Sequence, residues 1–456
     1  MALTKTHNRM IEGAQINALD YMSAAQIQDV ISNTGSIDVT AAIQSAVDDG
    51  LALHKKVFLP AGKYKVTSTI TLYDGTQILG ESDYAYGAGF GRDPKGTKIS
   101  FEPASLDDLF DYQYDTTPTP TPPTFLFHTS MSGLYLVCPN NNGRRAININ
   151  AIIYGRFTAL TIEGFDTGIY CYGTIKNRFE SIFISSCDNE CVLYDGSAET
   201  SDVWDSCSFF GSTSGIVMSG VTVGVRFNSC LWEQIDNYGI DLAREVQCCM
   251  VSDAYCEDVP YSTGATTAAM FRVGYEGTTT STVNQLIVHG GVFQGRTAGN
   301  YGSCFDIQYS NGIIAQGFGV SRFTNVVRVD TTNTADNSIM LGGFGGISNT
   351  NNIVNNLGSI DLSKISGFFA NGVMNSGAYN QTGRFFNLTA NLGLTISSLS
   401  GAINFATNSF IQSGTGSPEG AVTAPPGSLW LNSSGGSGTT FYVKESGTGN
   451  TGWVAK

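Results

Sequence analysis

Five stretches decide the fold of this chain: RFTALTIEGF (156–165), RFESIFISSC (178–187), VWDSCSFFGS (203–212), RFNSCLWEQI (226–235) and MVSDAYCEDV (250–259). They align on Phe157, Phe179, Trp204, Phe227 and Val251, and Val288 supplies a sixth anchor. Three residues beyond each anchor stand Leu160, Ile182, Cys207, Cys230, Ala254 and Gly291. Five residues beyond stand Ile162, Ile184, Phe209, Trp232, Cys256 and Phe293. The steps between anchors are 22, 25, 23 and 24 residues, then 37 across a Gly/Thr-rich insertion around 263–281. A repeat of roughly 20–30 residues marks a solenoid. Here the repeat unit is short strands, so the expected fold is all-β: a right-handed parallel β-helix. Stacked coils share one continuous core, and no coil is stable alone.

Composition agrees. Of 456 residues 54 are Gly, and only 14% are charged, so the polar positions fall to Ser, Thr, Asn and Gly. That suits strands and turns more than helices. The formal net charge of −14 repels phosphate backbones and argues against a nucleic-acid partner. No segment approaches ~18 consecutive apolar residues, so no membrane insertion is expected. The opening MALTKTHNRMIEGAQ lacks the apolar core of a signal peptide. Cys207, Cys230 and Cys256 of the ten cysteines fall in inward columns, as small apolar fillers. Cys248–Cys249 reads as a buried thiol pair. No paired CxxC motif suggests zinc, and neither metal nor cofactor is expected.

Four segments follow: a connector (1–15), a cap with the first coils (16–125), the central β-helix (126–390) and a small C-terminal β module (391–456). In the second, a strand-like INALDY (16–21) precedes a helix, AAIQSAVDDGLA (41–52), with Ile43, Val47 and Leu51 on one face. VFLPAGKYKV (57–66) and TITLYDGTQILGES (69–82) come next. This order resembles the opening of the pectate-lyase-like, rhamnogalacturonase-type β-helix superfamily, in which a helix plugs the open end of the solenoid. In place of that family's Gly-Asp-Gly-rich turn stands SAAQIQDVISNTGSIDVT (23–40), a variant similar to bacteriophage tail proteins. Residues 103–124 are Pro/Thr-rich with Phe110, Tyr112 and Tyr114 among aspartates; they read as a solvated loop or an aromatic flap. PEGAVTAPPGSLWLNSSGGSGTTFYVKESGTGNTGWVAK (418–456) resembles a C-terminal module of phage tail proteins.

The chemistry candidates come from the column six residues after each anchor: Glu163, Ser185, Phe210, Glu233, Glu257 and Gln294. By the period of two it points outward. Glu233 and Glu257 then share adjacent rungs about 4.8 Å apart, and their repulsion raises one pKa. A carboxylic acid beside a carboxylate is the apparatus of glycoside hydrolysis. Tyr255 offers a ring to a sugar, with Asp253, Asp258 and Trp232 nearby. His289 and Arg296 supply the base and cation of an alternative β-elimination. Asp202 and Asp205 read as turn acids. The Asn-Thr-Asp and Arg-Ile-Lys signatures of polygalacturonases are missing.

The resemblance to phage tailspikes carries further implications. It implies a depolymerase that binds and cleaves a bacterial capsular polysaccharide or lipopolysaccharide O-antigen. It also implies a homotrimer joined to other phage tail proteins, assembled in the host cytoplasm and carried on the virion to the cell surface. A polysaccharide lyase or a non-catalytic receptor fibre would use the same scaffold.

Overall fold

A computed structural model gives the architecture. It describes residues 14–82, 96–113, 125–196, 199–261, 268–274, 283, 285–296, 302–308, 312–329 and 409–456. It adds the strand backbone at 339–342, 345–347, 351–355, 365–366 and 403–404. Two compact units separate, Met1–Arg384 and Phe385–Lys456.

The first unit is a parallel β-helix, and the anchor alignment is its register. Phe157 pairs with Phe179, Phe179 with Trp204, Trp204 with Phe227, Phe227 with Val251 and Val251 with Val288. The column five residues on runs Ile162, Ile184, Phe209, Trp232, Cys256 and Phe293, again rung on rung. These strands form a long face. A second face carries the inward column Phe110, Ile147, Ile169, Val192, Ile216, Ile240, Phe271 and Phe305. A short third face includes Leu126–Phe127, Ile152–Ile153, Glu199–Thr200, Thr222–Val223 and Val246–Gln247.

Single residues in the left-handed backbone region turn each coil, at three fixed offsets from the anchor. Three residues before it lie Tyr154, Lys176, Ser201, Gly224 and Cys248; two after it lie Ala159, Ser181, Ser206, Ser229 and Asp253. Seven after it lie Gly164, Ser186, Gly211, Gln234 and Asp258. Each such conformation costs a side-chain-bearing residue about 1–2 kcal/mol. Bonds between coils offset this: the amide of Ser229 donates to Ser252 O (2.9 Å), that of Asp253 to His289 O (2.9 Å) and that of Gln234 to Glu257 O (3.1 Å). The break two residues after the anchor also explains why positions zero and three both point inward, against a strict period of two.

The core is an aromatic stack. Phe157 and Phe179 lie 5.2 Å apart, Phe179 and Trp204 3.9 Å, and Phe209 and Trp232 5.2 Å. All are fully buried, each contributing roughly 1.5–3 kcal/mol. The ten cysteines are free thiols; Cys249 is buried, but Cys248 is half-exposed at its turn, which corrects the buried pair.

The cap holds two helices. The one expected, α2 (Thr40–Ala52), buries Ala42, Ile43, Ala46, Val47 and Gly50, while Leu51 is only half-buried. Before it stands α1 (Ala24–Ile31), which the sequence reading did not anticipate. Ser23 and Gln26 close a capping box on α1. Asp29 ties its end to the next turn by accepting from Ser36 N and Ile37 N (2.8 and 3.0 Å).

Three expectations are corrected. INALDY is a strand only over Ile16–Asn17; Ala18–Tyr21 is a 3-10 turn. The excursion at 103–124 begins as a strand, Asp107–Tyr112, in the second face, with Phe110 and Tyr112 buried. Those rings fill the core and line no flap; 114–124 lie outside the described residues. The insertion around 263–281 contains the strand Ala269–Val273, aligned on Tyr238–Leu242. The connector's residues 1–13 and the later coils' side chains also lie outside the described residues.

In the second unit, Phe410–Gly414, Leu429–Asn432, Phe441–Lys444 and Trp453–Ala455 form one sheet. Trp430, Tyr442 and Trp453 bury its face.

Candidate active site

Glu233 and Glu257 end two short strands of the long face, Leu231–Glu233 and Tyr255–Glu257, and are direct register partners. Both strands alternate half-exposed, buried and half-exposed or exposed residues, because Trp232 and Cys256 point into the core. Each glutamate is followed by a left-handed residue, Gln234 or Asp258, which swings the chain away and leaves the carboxylates on the rim of the face.

The two carboxylates have different surroundings. The Tyr255 hydroxyl donates to Glu257 Oε2 at 2.9 Å. Among the described residues no side-chain hydrogen bond reaches the Glu233 carboxylate. Burial, followed by the charges of Glu257 and Asp258, pushes the Glu233 carboxyl above its ordinary range. The Tyr255 phenol is pushed up to about 12, by burial first and then by its bond to Glu257 and the charges of Glu257 and Glu233. It therefore stays a donor at neutral pH. Phe210, one coil earlier, is the register partner of Glu233 in the same column.

The other residues separate by position. Tyr255 is 39% exposed and presents its ring beside Glu257. Asp253 and Asp258 hold left-handed turns, a conformation Asp tolerates well. Trp232 is not a substrate ligand: it is fully buried, packed on Phe209 and Phe227. Its position five residues after the anchor fixes that inward direction. His289 is exposed in the turn column, above Ser252 and below Gln316. Arg296 stacks on Tyr261 (4.6 Å) and donates to that residue's carbonyl. Among the described residues no contact joins His289 to Arg296.

A second pair of acids lies inside the solenoid. Asp205 keeps to the turn column, paired with Arg178 at 3.4 Å. Asp202 is instead fully buried, accepting from Asn177 N at 2.7 Å and from the Tyr194 hydroxyl at 3.4 Å. Trp204 Nε1 donates to that hydroxyl at 2.7 Å. Burial raises the Asp202 pKa to about 7. Glu199, also fully buried, sits between Thr174 and Thr222 in an otherwise aliphatic column, and burial raises its pKa as well. The sequence reading passed over Glu199; the signal was a carboxylate in register with Ile152 and Val246.

No group of three or more metal-ligating side chains occurs among the described residues.

Comparison with known proteins agrees with this architecture. A family profile described as "Rhamnogalacturonase A/epimerase, pectate lyase-like" matches residues 30–90, which take in α2 and the first strands after it. No curated protein sequence matches the chain. Among solved structures, the tailspike protein of E. coli bacteriophage HK620, in complex with a pentasaccharide, aligns at TM-score 0.52 and 10% identity. The alignment covers 77% of this chain and 66% of that one. A mutant of that tailspike aligns at TM-score 0.53 and 10% identity, over 78% and 67%. ORF18 of Geobacillus virus E2 aligns at TM-score 0.44 and 14% identity, over 75% and 60%. The chain thus spans 60 to 67% of the length of these proteins. The HK620 alignments show a shared parallel β-helix fold, and the profile bears out the resemblance seen in the opening strands.

Proposed function

We propose that this chain is a tailspike-type depolymerase that cleaves a bacterial surface polysaccharide, capsule or O-antigen, by hydrolysis at Glu233 and Glu257. The carrying observation is the unequal carboxylate pair on adjacent rungs. Glu233, whose carboxyl is shifted upward, takes the general-acid role and in its protonated form donates to the glycosidic oxygen as that bond breaks. Glu257, oriented by the Tyr255 hydroxyl, attacks the anomeric carbon and forms a glycosyl ester. Water, activated by the now ionised Glu233, then releases the sugar. Carboxyl groups ~5–5.5 Å apart suit retention and ~6.5–9.5 Å inversion; we favour retention because the two glutamates are register partners on adjacent rungs, whose backbones lie about 4.8 Å apart. The first product should therefore keep its anomeric configuration, read by proton NMR. The fold shared with a tailspike in complex with a pentasaccharide supports a saccharide ligand. Attachment to a phage tail, a homotrimeric state and action at the bacterial surface belong to the same proposal.

Glu233→Gln and Glu257→Gln test it. Each should lower polysaccharide cleavage by about 10²–10⁴-fold while the variants still bind the polymer. Unchanged cleavage in both variants would refute the site.

A further inference from the structure

The long face carries a second feature, at the opposite edge from the glutamates. One residue before the anchor, Arg156 and Arg178 are direct register partners, and Val203 links Arg178 to Arg226. All three arginines are exposed. In the left-handed column beside them, exposed Lys176 lies 5.7 Å from the ring of Tyr154, which is 58% exposed. Exposed Phe127 adds another ring one coil earlier, in register with Ile153.

This strip sits badly with the rest of the chain. The net charge is −14, with only 24 Lys and Arg in 456 residues, yet four cations gather within four coils. Like charges stacked on adjacent rungs repel. Arg178 is partly compensated by Asp205 at 3.4 Å and Glu180 at 3.7 Å. Among the described residues no carboxylate pairs with Arg156, Lys176 or Arg226. Exposed aromatic rings beside cations that have no carboxylate partner among the described residues complement what an acidic sugar chain presents: anionic groups for the cations and apolar ring faces for Tyr154 and Phe127. A linear polymer can follow the axis, meeting a fresh coil about every 4.8 Å. A phosphate backbone shares the charge, but the acidic surface around the strip disfavours a long, densely charged nucleic acid.

We propose that this strip is a binding site for a polyanionic polysaccharide, separate from the glutamate pair. It deepens the polysaccharide reading by assigning the polymer a negative charge, and rests on that reading. Arg226 and Glu233 lie in the same coil, at most about 23 Å apart along the strand direction. A chain held on the strip can thus reach the acids.

The test uses the full chain with polygalacturonate as polyanionic probe, and dextran and duplex DNA as controls, by calorimetry at low and high salt. The wild type should bind polygalacturonate more weakly as salt rises, and dextran not measurably. The triple variant Arg156→Gln, Lys176→Gln, Arg226→Gln should bind about tenfold more weakly or worse, with an unchanged circular dichroism spectrum. Tyr154→Ala should also weaken binding, without changing the salt dependence. Failure of the wild type to bind polygalacturonate, or equal affinity in the triple variant, overturns the strip; so does DNA binding of equal strength. Glu233→Gln should leave this binding intact, so the strip and the cleavage site fail or stand separately.

Discussion

Two pairs of acids, one inside the coils and one on their surface, show what a raised carboxyl pKa means in this protein. Asp202 and Glu199 are shifted up by burial first, with a smaller push from the charge of Glu199 on Asp202 and of Asp195 on Glu199; they are held by Asn177 N and by Gly173 N respectively, and no substrate can reach them. Glu233 is shifted by burial together with two neighbouring carboxylates, and it remains half-exposed beside an exposed tyrosine. Perturbation alone does not identify a site; perturbation with a reachable partner acid makes a candidate for one. We take the interior pair as structural and propose the exterior pair as chemical, and each assignment can be broken.

Interior substitutions should act on stability. Trp204→Ala removes the ring stacked on Phe179 and the donor to Tyr194 above Asp202. It should cost about 3–5 kcal/mol in urea unfolding; a loss under 1 kcal/mol would mean that the stack is loose. Exterior substitution should do the opposite. Glu233→Gln, which on the proposed mechanism removes most cleavage, should leave stability within about 0.5 kcal/mol, and a large destabilisation would move Glu233 into the structural class.

The two classes also differ with pH. Asp202 has a folded pKa of about 7, above its unfolded value of 3.8. The folded state therefore binds the proton more tightly. Its contribution favours folding at low pH and is lost as pH rises from about 4 to 7. Asp202→Asn keeps an acceptor for Asn177 N and should flatten the decline of Tm across that window. An unaltered profile would show that Asp202 does not titrate there.

Smaller effects should follow around the exterior pair. Tyr255→Phe deletes one hydrogen bond to Glu257, worth about 1 kcal/mol, so cleavage should fall about fivefold. Asp258→Asn removes the weakest of the causes that raise Glu233. The alkaline limb of the pH–rate profile should then move to lower pH, since the proposed mechanism needs Glu233 protonated. A move to higher pH would assign that limb to another group.

The sequence showed the inside of the coils better than the outside. Inward positions are forced to match their neighbours above and below, so Phe157, Phe179, Trp204 and Phe227 repeat at nearly constant steps and betray both fold and register. The pairing of Glu233 with Glu257 followed from that register. What stayed hidden depends on backbone conformation. Nothing in Ala159, Ser206 or Gln234 as residue types announces a left-handed turn; only their stacking does. Asp202 read as a turn residue because it lies three positions from Asp205, yet the turn at Ser201 rotates it inward. Trp232 was placed at the site for its chemistry, although its column already pointed it into the core.

The most direct test is mass spectrometry of capsular and O-antigen polysaccharides digested by the full chain in isotopically labelled water. Hydrolysis at Glu233 and Glu257 predicts discrete oligosaccharides that each gain one labelled oxygen at the new reducing end, and their loss in Glu233→Gln. Products with an unsaturated uronate end and no label would contradict the account and turn attention to a base such as His289.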